Sequence, residues 1–243
     1  LDMKGIAKVV TGGGKTTFAL LCMEQFFSRY PGGRCIILVP SIALLDQWFV
    51  EIISDTDLIQ NDISVYGGGS LPRKHEKINI LTLNTGREKV REIIRKGDLL
   101  IVDECHRAAA QENSKSICVE KEIFTLGLSA TPERQYDNGF EDILLPVLGP
   151  VIIDYDYKQA HIDGVICDFD LINVKVEMSE DERNEYENLG RKIAISYSNS
   201  GEKTDEFLSL CRKRSLSIAN LQLRIPTVCK IVEENKSSKI IVF

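Results

Sequence analysis

Three consecutive glycines, at positions 12–14, are followed by Lys15, Thr16 and Thr17 close to the start of the chain. Glycines let the backbone turn so that several N–H groups point inward, which forms an anion cradle at the N-terminus of the next helix. Lys15 can place positive charge beside the β- and γ-phosphates of a nucleotide, and the Thr16 hydroxyl can ligate Mg²⁺. The strict phosphate-loop pattern has a glycine where this chain has Val9. A glycine-rich strand-to-helix turn without a ligand is therefore the alternative interpretation.

A pair of acids, Asp103 and Glu104, ends the apolar stretch in "LLIVDECH". A carboxylate at the C-terminal edge of a buried strand can hold Mg²⁺, and a second carboxylate can orient an attacking water. Adjacent acids also occur as plain strand ends, which is the alternative for this pair alone. The two motifs support each other, because the glycine loop supplies the phosphate that the metal would bridge.

The elements around these motifs are apolar strands that alternate with helical stretches. Continuous apolar runs at 6–10, 35–40, 78–83, 98–104 and 124–130 are typical of strands that are buried on both faces of a parallel sheet. Helical spacing follows the glycine loop and also follows the second run, where Trp48 falls on the periodic face. The sequence therefore predicts an α/β fold with a parallel β-sheet flanked by helices.

The chain changes character after Arg134. Residues 144–178 are expected to be rich in strands, and the polar residues 196–206 to be weakly ordered. A helix is expected over residues 207–235, with an interruption near Pro226. The final residues, "KIIVF", are typical of the first strand of another α/β unit.

Composition limits the classes of protein to which the chain can belong. A hydrophobic share of 43% is ordinary for a globular protein, and the longest apolar run, residues 35–45, is far shorter than a bilayer-crossing helix. With no signal segment before the glycine loop, we expect an intracellular protein, in the cytoplasm or with the nucleoid or nucleus, and no membrane partner. The seven cysteines include no CxxC pair and are expected to be reduced and mostly buried. A net charge of −6 means that any nucleic acid must meet a local basic surface.

Several motifs occur in a fixed order along the chain. "TGGGKT" at 11–16, "DECH" at 103–106 and "SAT" at 129–131 resemble motifs I, II and III of the superfamily 2 helicases and translocases. "LVPSIALLDQW" at 38–48 resembles motif Ia, and "LTLNTG" at 81–86 resembles motif Ib. "LGLSATPER" at 126–134 and the stretch 148–169 are similar to DNA-directed members, which include the nucleotide-excision-repair helicases and the motor subunits of restriction and anti-phage systems.

This resemblance implies a RecA-like P-loop domain that uses ATP and Mg²⁺, and it implies roles for matching positions. Lys15 and Glu104 would be catalytic, with Glu104 orienting the hydrolytic water, and Thr16 and Asp103 would hold the metal. The remaining implied roles are nucleotide binding by Thr11, Gly12, Gly13, Gly14, Lys15, Thr16 and Thr17, and coupling of nucleotide state to nucleic-acid grip by His106, Ser129 and Thr131.

The resemblance also implies contacts to nucleic-acid phosphates at Ser41, Thr82 and Thr85. Outside the motifs, Arg87, Arg91 and Arg95 recur every fourth residue on a predicted helix and would form a basic stripe. A solvated helix neutralised by nearby glutamates is the alternative for that stripe, and for the basic cluster at 211–214 as well. Trp48 is expected to pack in the core, with base stacking as its alternative. None of these groups reads bases, so binding is expected to be sensitive to salt and only weakly to sequence.

The resemblance divides the chain into a first RecA-like ATP-binding domain (1–155), a connecting segment with helices (156–236) and the start of a second RecA-like domain (237–243). The implied function is an ATP-dependent DNA helicase or double-stranded DNA translocase, with double-stranded DNA and other subunits of a repair, restriction or defence complex as partners. The alternatives are an RNA helicase, and an ATP-binding scaffold or switch subunit that does not unwind. Motifs V and VI, whose arginines reach the γ-phosphate, do not occur in the sequence, so this piece alone is expected to hydrolyse ATP very slowly.

Overall fold

The computed structural model describes residues 3–67, 72, 75–133, 137–201 and 204–242. Contacts divide the chain into two compact units, Leu1–Phe169 and Asp170–Phe243. Arg134, the last residue of the "LGLSATPER" motif, and Phe243, the last residue of the chain, lie outside the described residues. The functional boundaries predicted at 155 and 236 stay predictions.

The first unit contains a parallel β-sheet that, within the described residues, has seven strands. The strands are β1 (Lys4–Val9), β2 (Cys35–Val39), β3 (Ile63–Tyr66), β4 (Ile78–Thr82), β5 (Leu99–Val102), β6 (Phe124–Ser129) and β7 (Val151–Tyr155). Their order across the sheet is β3-β4-β2-β5-β6-β1-β7, and every neighbouring pair is parallel. The predicted α/β fold is confirmed.

Helices cover both faces of this sheet. The helices of the first unit are α1 (Lys15–Arg29), α2 (Ile42–Asp55), α3 (Leu83–Ile93), α4 (Leu145–Leu148) and α5 (Tyr157–Ile162). One buried cluster joins α1 and α2 to side chains such as Ile37, and a second joins α3 to side chains such as Ile36. Because consecutive strand residues point to opposite faces, β2 feeds both clusters, and all five of its residues are buried.

The parallel arrangement places the loops that follow the strands along one edge of the sheet. The order β2-β5-β6-β1 makes neighbours of four such loops: those beginning at Pro40, Asp103, Ala130 and Val10. Open α/β sheets bind ligands in the crevice outside the carboxyl ends of their strands. The fold therefore brings the separate sequence motifs to one edge.

The strand-rich structure expected for residues 144–178 is wrong for most of that segment. The segment contains α4 and α5, and β7 is the one strand within it. A short apolar run such as "LLPVL" does not distinguish a strand from a buried helical turn, and here Leu144 and Leu148 are buried by a helical turn. Residues 167–179 have neither helix nor strand, since no neighbouring strand pairs with them.

The second unit is helical within its described residues. Its helices are α6 (Glu180–Ser200), α7 (Asp205–Ala219) and α8 (Arg224–Glu234). Residues 196–200, expected to be weakly ordered, belong to α6, which a capping box of Ser179 and Glu182 starts. The interruption expected near Pro226 in the helix over 207–235 is confirmed, since α7 and α8 are separated by residues 220–223. Pro226 itself lies in the first turn of α8, where its missing N–H has no intrahelical partner to lose.

Three further expectations concern the end of the chain, membranes and cysteines. Residues 239–242 form no strand, so the start of a second RecA-like domain there stays a prediction. No helix in the described part of the chain has the length and apolar character needed to cross a bilayer. The cysteines are free thiols, but the expectation that most of them are buried is wrong. Cys35 and Cys105 are buried, whereas the others are half-buried (Cys22, Cys118 and Cys211) or exposed (Cys167 and Cys229). Burial raises the pKa of the Cys105 thiol to about 12, with the nearby acids adding to the effect, so this thiol is a neutral core group.

Candidate nucleotide-binding site

The glycine loop between β1 and α1 needs each of its three glycines. Gly12 and Gly14 have left-handed backbones, with φ of 82° and 84°, which glycine adopts at no steric cost. A Cβ atom at Gly13 would lie 2.8 Å from Val9 Cγ1 and 3.0 Å from the Val10 carbonyl oxygen. Two of the glycines are therefore required by backbone conformation and the third by close packing. The departure at Val9 from the usual phosphate-loop pattern leaves this turn intact.

The start of α1 is suited to an anion. Gly14 is its N-cap and has no side chain to cap the helix, and the first turn contains no acidic residue. The first N–H groups of a helix have no intrahelical partners and point towards any bound anion. The Lys15 ammonium lies over the same loop, where its Nζ donates a long hydrogen bond of 3.4 Å to the Val9 carbonyl oxygen. A phosphate would be a stronger acceptor for Lys15 than this neutral carbonyl.

Asp103 is a buried carboxylate at the carboxyl end of β5, only 6% exposed. Its backbone N–H donates to the Leu38 carbonyl of β2 at 2.8 Å, which fixes the chain at the sheet edge. Its Oδ1 accepts from the Glu104 backbone N–H, and its Oδ2 accepts from Trp48 Nε1, each at 2.9 Å. Hydrogen bonds to both oxygens compensate the burial of the group, and each oxygen keeps lone pairs for a further ligand.

Glu104 has a strained backbone. Within the described residues it is the one non-glycine residue with a positive φ, 46°, and its ψ is 51°. The left-handed conformation costs an L-residue about 1–2 kcal/mol. This turn leads from β5 into the 3₁₀ turn Cys105–Arg107, and it leaves the Glu104 side chain partly exposed while its neighbour Asp103 is buried. Strain of this kind is typical of functional sites, where surrounding structure holds a side chain in an uncommon position.

The three residues predicted to couple nucleotide and nucleic acid lie together. His106 Nδ1 is 2.9 Å from Ser129 Oγ at the end of β6, and the Thr131 backbone N–H donates to the same Oγ at 3.1 Å. His106 Nδ1 is also 3.4 Å from Glu104 Oε2. A chain of polar contacts therefore runs from the strained acid, through the histidine, to the loop after β6.

The hydroxyl residues predicted to contact nucleic acid cap helices in the structure. Ser41 is the N-cap of α2, where its side chain accepts from the Leu44 N–H at 3.4 Å. Thr82 is the N-cap of α3 and accepts from the Thr85 N–H at 3.3 Å, and the two threonine hydroxyls are 3.0 Å apart. Both helix starts follow parallel strands, so they lie at the same edge as the glycine loop. Their binding role stays a prediction.

The predicted basic stripe is shorter than the sequence suggests. Helix α3 ends at Ile93, so Arg95 is not on it, because the backbone turns away there to begin β5. Arg87 Nε donates to Asn113 Oδ1 at 3.0 Å, and Arg91 Nη2 donates to the Cys118 carbonyl at 3.2 Å. These contacts hold α3 against the segment that follows the Asp-Glu motif. A contact of either arginine with nucleic acid also stays a prediction.

Sequence reasoning missed one participant in the site. The expectation that Trp48 packs in the core is confirmed, since the side chain is 1% exposed and has no free face for a base. Its hydrogen bond to Asp103, 55 positions along the chain, was not expected. The available signal was that a buried indole N–H usually has an acceptor.

Comparison with known proteins agrees with this arrangement. The family model described as "Type III restriction enzyme, res subunit" matches residues 2–134, which is more than half of the chain. The chain is 29% identical to the DNA 3'-5' translocase XPB2 of Sulfurisphaera tokodaii, and the alignment covers 100% of this chain and 56% of that protein. It is 27% identical to the DNA 3'-5' helicase XPB of Mycobacterium tuberculosis over 75% of this chain and 33% of that protein. The chain thus spans about half the length of these relatives or less.

Solved structures support the fold. The helicase domain of Pyrococcus furiosus Hef superposes with a TM-score of 0.57 at 19% identity, covering 93% of this chain and 53% of that one. The UvsW helicase of bacteriophage T4 superposes with a TM-score of 0.51 at 18% identity, covering 63% of this chain and 55% of that one. The expected resemblance to helicases and restriction motors is confirmed, and the chain belongs to the family of the type III restriction enzyme res subunit.

Proposed function

We propose that this chain is the ATP-binding motor part of a DNA helicase or double-stranded DNA translocase. The observation that supports this most directly is the joining of motifs at one sheet edge. The glycine loop follows β1, the strained Glu104 follows β5, and His106 contacts Ser129 at the end of β6 between them. Relatives named as DNA helicases and translocases support the choice of reaction.

The side chains present suit ATP with Mg²⁺. In the parts of the chain that the structure describes, no three His, Cys, Asp or Glu side chains form a metal site of their own. Mg²⁺ does not need one, because it usually keeps several waters and takes one or two carboxylates together with substrate phosphates. The Thr16 hydroxyl and the Asp103 carboxylate are donors of this kind, and the open backbone of the glycine loop leaves room for phosphates.

When bound, ATP would supply the phosphoanhydride bond that is hydrolysed, and Mg²⁺ would neutralise the negative charge of its phosphates. The protein then has to position groups. Lys15 and the N-terminus of α1 would hold the phosphates, and the carboxylate of Asp103 would be a ligand of Mg²⁺, directly or through water. Glu104 would orient a water, and the support for this role is its strained backbone and its partly exposed carboxylate beside His106. The contact of His106 with Ser129 passes a change at Glu104 to the loop after β6.

We propose that nucleic acid lies along the same edge, over the starts of α2 and α3. Helix N-termini bind phosphate through free N–H groups and the helix dipole, without reading bases. Ser41, Thr82 and Thr85 are the hydroxyls at these two starts. We propose double-stranded DNA as the substrate, and other subunits of a repair, restriction or defence complex as partners.

Nucleotide turnover with different nucleic acids tests the substrate. ATP hydrolysis by a natural protein that contains this chain is measured with duplex DNA, single-stranded DNA and RNA, each across a salt series. Stimulation by duplex DNA supports a translocase, and stimulation by single-stranded DNA supports a helicase that tracks along one strand. Stimulation by RNA alone would contradict the DNA proposal, and no stimulation with intact ATP binding would indicate a scaffold.

A further inference from the structure

Trp48 and Asp103 form a buried hydrogen-bonded pair between two elements of the motor domain. The indole Nε1 donates to Asp103 Oδ2 at 2.9 Å. Both residues are buried: Trp48 is 1% exposed and Asp103 is 6% exposed. Trp48 lies on α2, the helix that begins at the Ser41 cap, and Asp103 follows β5. The pair therefore connects α2, the N-terminus of which is proposed to contact nucleic acid, to the carboxylate proposed for Mg²⁺.

The geometry does more than satisfy a buried indole. Asp103 Oδ1 is held by the Glu104 N–H and Oδ2 by the indole, so the plane of the carboxylate is fixed from two sides. A ligand carboxylate with one fixed orientation loses less freedom when a metal binds, and outer partners of this kind typically change metal affinity 10- to 100-fold. Trp48 belongs to the same buried core cluster as Leu45 and Ile52 of its helix, so its position follows that of α2.

We propose that Trp48 is a positioning residue for Mg²⁺, which acts through Asp103 and ties the position of α2 to the metal site. This inference rests on the proposed function, since it assumes that Asp103 holds Mg²⁺. Movement of α2 when nucleic acid binds at its start would displace the indole N–H and so reorient the metal-binding oxygen. Neither the family match nor the motif pattern assigns this role to the tryptophan.

The first experiment compares Trp48→Phe with Ile52→Val. Phe keeps an aromatic ring in the core but has no N–H, whereas Val at position 52 loosens the same buried face of α2 and leaves the hydrogen bond in place. Binding of a fluorescent ATP analogue is titrated with Mg²⁺, and binding without Mg²⁺ is measured separately. We expect Trp48→Phe to weaken the apparent Mg²⁺ affinity about 10-fold, with Mg²⁺-free nucleotide binding unchanged and Ile52→Val close to wild type.

A second experiment keeps the shape of the side chain. The chain contains one tryptophan, so replacement of tryptophan by benzothienylalanine during expression changes position 48 alone. Sulfur then stands where the N–H was, in a ring of nearly the same size, and the same loss of Mg²⁺ affinity is expected. Equal Mg²⁺ affinity of this protein and the wild type would overturn the inference even if Trp48→Phe fails to fold.

Emission from the single tryptophan is a third readout that does not depend on turnover. Excitation moves electron density from the pyrrole ring of indole to its benzene ring, so an anion beside Nε1 lowers the energy of emission. Mg²⁺ at Asp103 would offset that charge, and we expect emission to shift to shorter wavelength with Mg²⁺ and nucleotide. Asp103→Asn should abolish the shift.

The outcomes separate the two proposals. If wild-type nucleotide binding does not respond to Mg²⁺ at all, the proposed nucleotide site fails and the role of Trp48 fails with it. If wild-type binding depends on Mg²⁺ but the tryptophan variants respond like Ile52→Val, the nucleotide site stands and the positioning role is refuted. An unchanged emission spectrum at saturating Mg²⁺ and nucleotide would contradict Mg²⁺ binding at Asp103, and so would refute the proposed metal ligand together with the role of Trp48.

Discussion

Two regions at the same edge of the sheet differ in how their polar groups interact with the rest of the protein: the glycine loop with the Asp-Glu motif, and the starts of α2 and α3. At the glycine loop and the Asp-Glu motif, the one hydrogen bond of the Lys15 ammonium among the described residues is a long contact to a neutral carbonyl, and Glu104 is held in a strained backbone. At the starts of α2 and α3, the predicted binding groups already serve the protein, as caps or as links from α3 to its neighbour. Polar groups of the first region therefore contribute little to the stability of the fold, whereas those of the second region contribute to it directly. Substitutions in the first region should therefore change ligand binding or turnover without destabilising the fold, whereas substitutions in the second region should change both nucleic-acid binding and the stability of the fold.

The largest effect is expected for Lys15→Ala. The ammonium supplies charge-assisted hydrogen bonds to phosphate, which contribute about 1.5–3 kcal/mol each, so ATP affinity should fall by roughly 100-fold or more. The melting temperature should not change, because the hydrogen bond that the Lys15 ammonium makes in the described part of the chain is long and its acceptor is neutral. Calorimetric titration with ATP measures the first quantity and thermal denaturation the second. Equal affinity of variant and wild type would refute the phosphate site.

Glu104→Gln tests the water-orienting role. The amide keeps the shape of the side chain but loses the negative charge, so turnover should fall on the order of 10²-fold or more while binding of ATP and Mg²⁺ persists. Nucleotide binding and steady-state hydrolysis are measured on the same preparation, in a protein active enough to show turnover. Loss of binding instead would mean that Glu104 is a metal ligand.

The strained backbone at Glu104 predicts a difference in stability between two substitutions at this position. Glu104→Gly relieves the left-handed backbone and should stabilise the fold by up to about 1 kcal/mol, although activity is lost. Chemical denaturation of Glu104→Gly and Glu104→Gln, side by side, measures the difference. If the glycine variant is less stable than the glutamine variant, the contacts of the side chain at position 104 stabilise the fold by more than the backbone strain costs, and the residue has a structural role.

In the second region, Arg87→Ala should reduce both stability and nucleic-acid binding. Loss of its hydrogen bonds to Asn113 is expected to cost about 1–2 kcal/mol in the free energy of unfolding. Arg95→Ala is the matched control, because it removes the same charge from a residue beyond the end of α3. Denaturation curves and binding titrations across a salt series separate the two effects, since a lost phosphate contact reduces the slope with salt. Identical behaviour of the two variants would mean that charge alone matters.

The smallest effects are expected for the caps. Ser41→Ala and Thr82→Ala each remove a side-chain acceptor at a helix start, which costs about 1 kcal/mol. Ser41→Asp and Thr82→Asp keep the cap but add a negative charge, so they should restore stability and weaken binding to nucleic acid. Thermal denaturation together with DNA binding at low salt checks both expectations. Unchanged binding by the aspartate variants would leave these residues with a capping role alone.

Some features could be predicted from local sequence because local physics decides them. Residues 12–14 need glycine for backbone conformation and close packing, and the continuous apolar run of β2 requires burial on both faces. Failures came where a short run admits two solutions. "LLPVL" is apolar as a strand or as a helical turn, and the break correctly expected near Pro226 left open whether the proline ends one helix or lies in the first turn of the next. In each case the answer depends on which neighbour is available to pack.

The sequence by itself determined which chemistry is proposed for this protein, because the glycine loop, the acid pair and the order of the motifs contain the residue types that ATP and Mg²⁺ would require. The tertiary structure decided how those residues are held. It gave Glu104 a strained backbone, joined His106 to Ser129 and placed Trp48 on Asp103. It also turned the chain away from α3 before Arg95. Hydrogen bonds between positions 23 or 55 residues apart follow from the order of strands in the sheet, and no local pattern in the chain records that order.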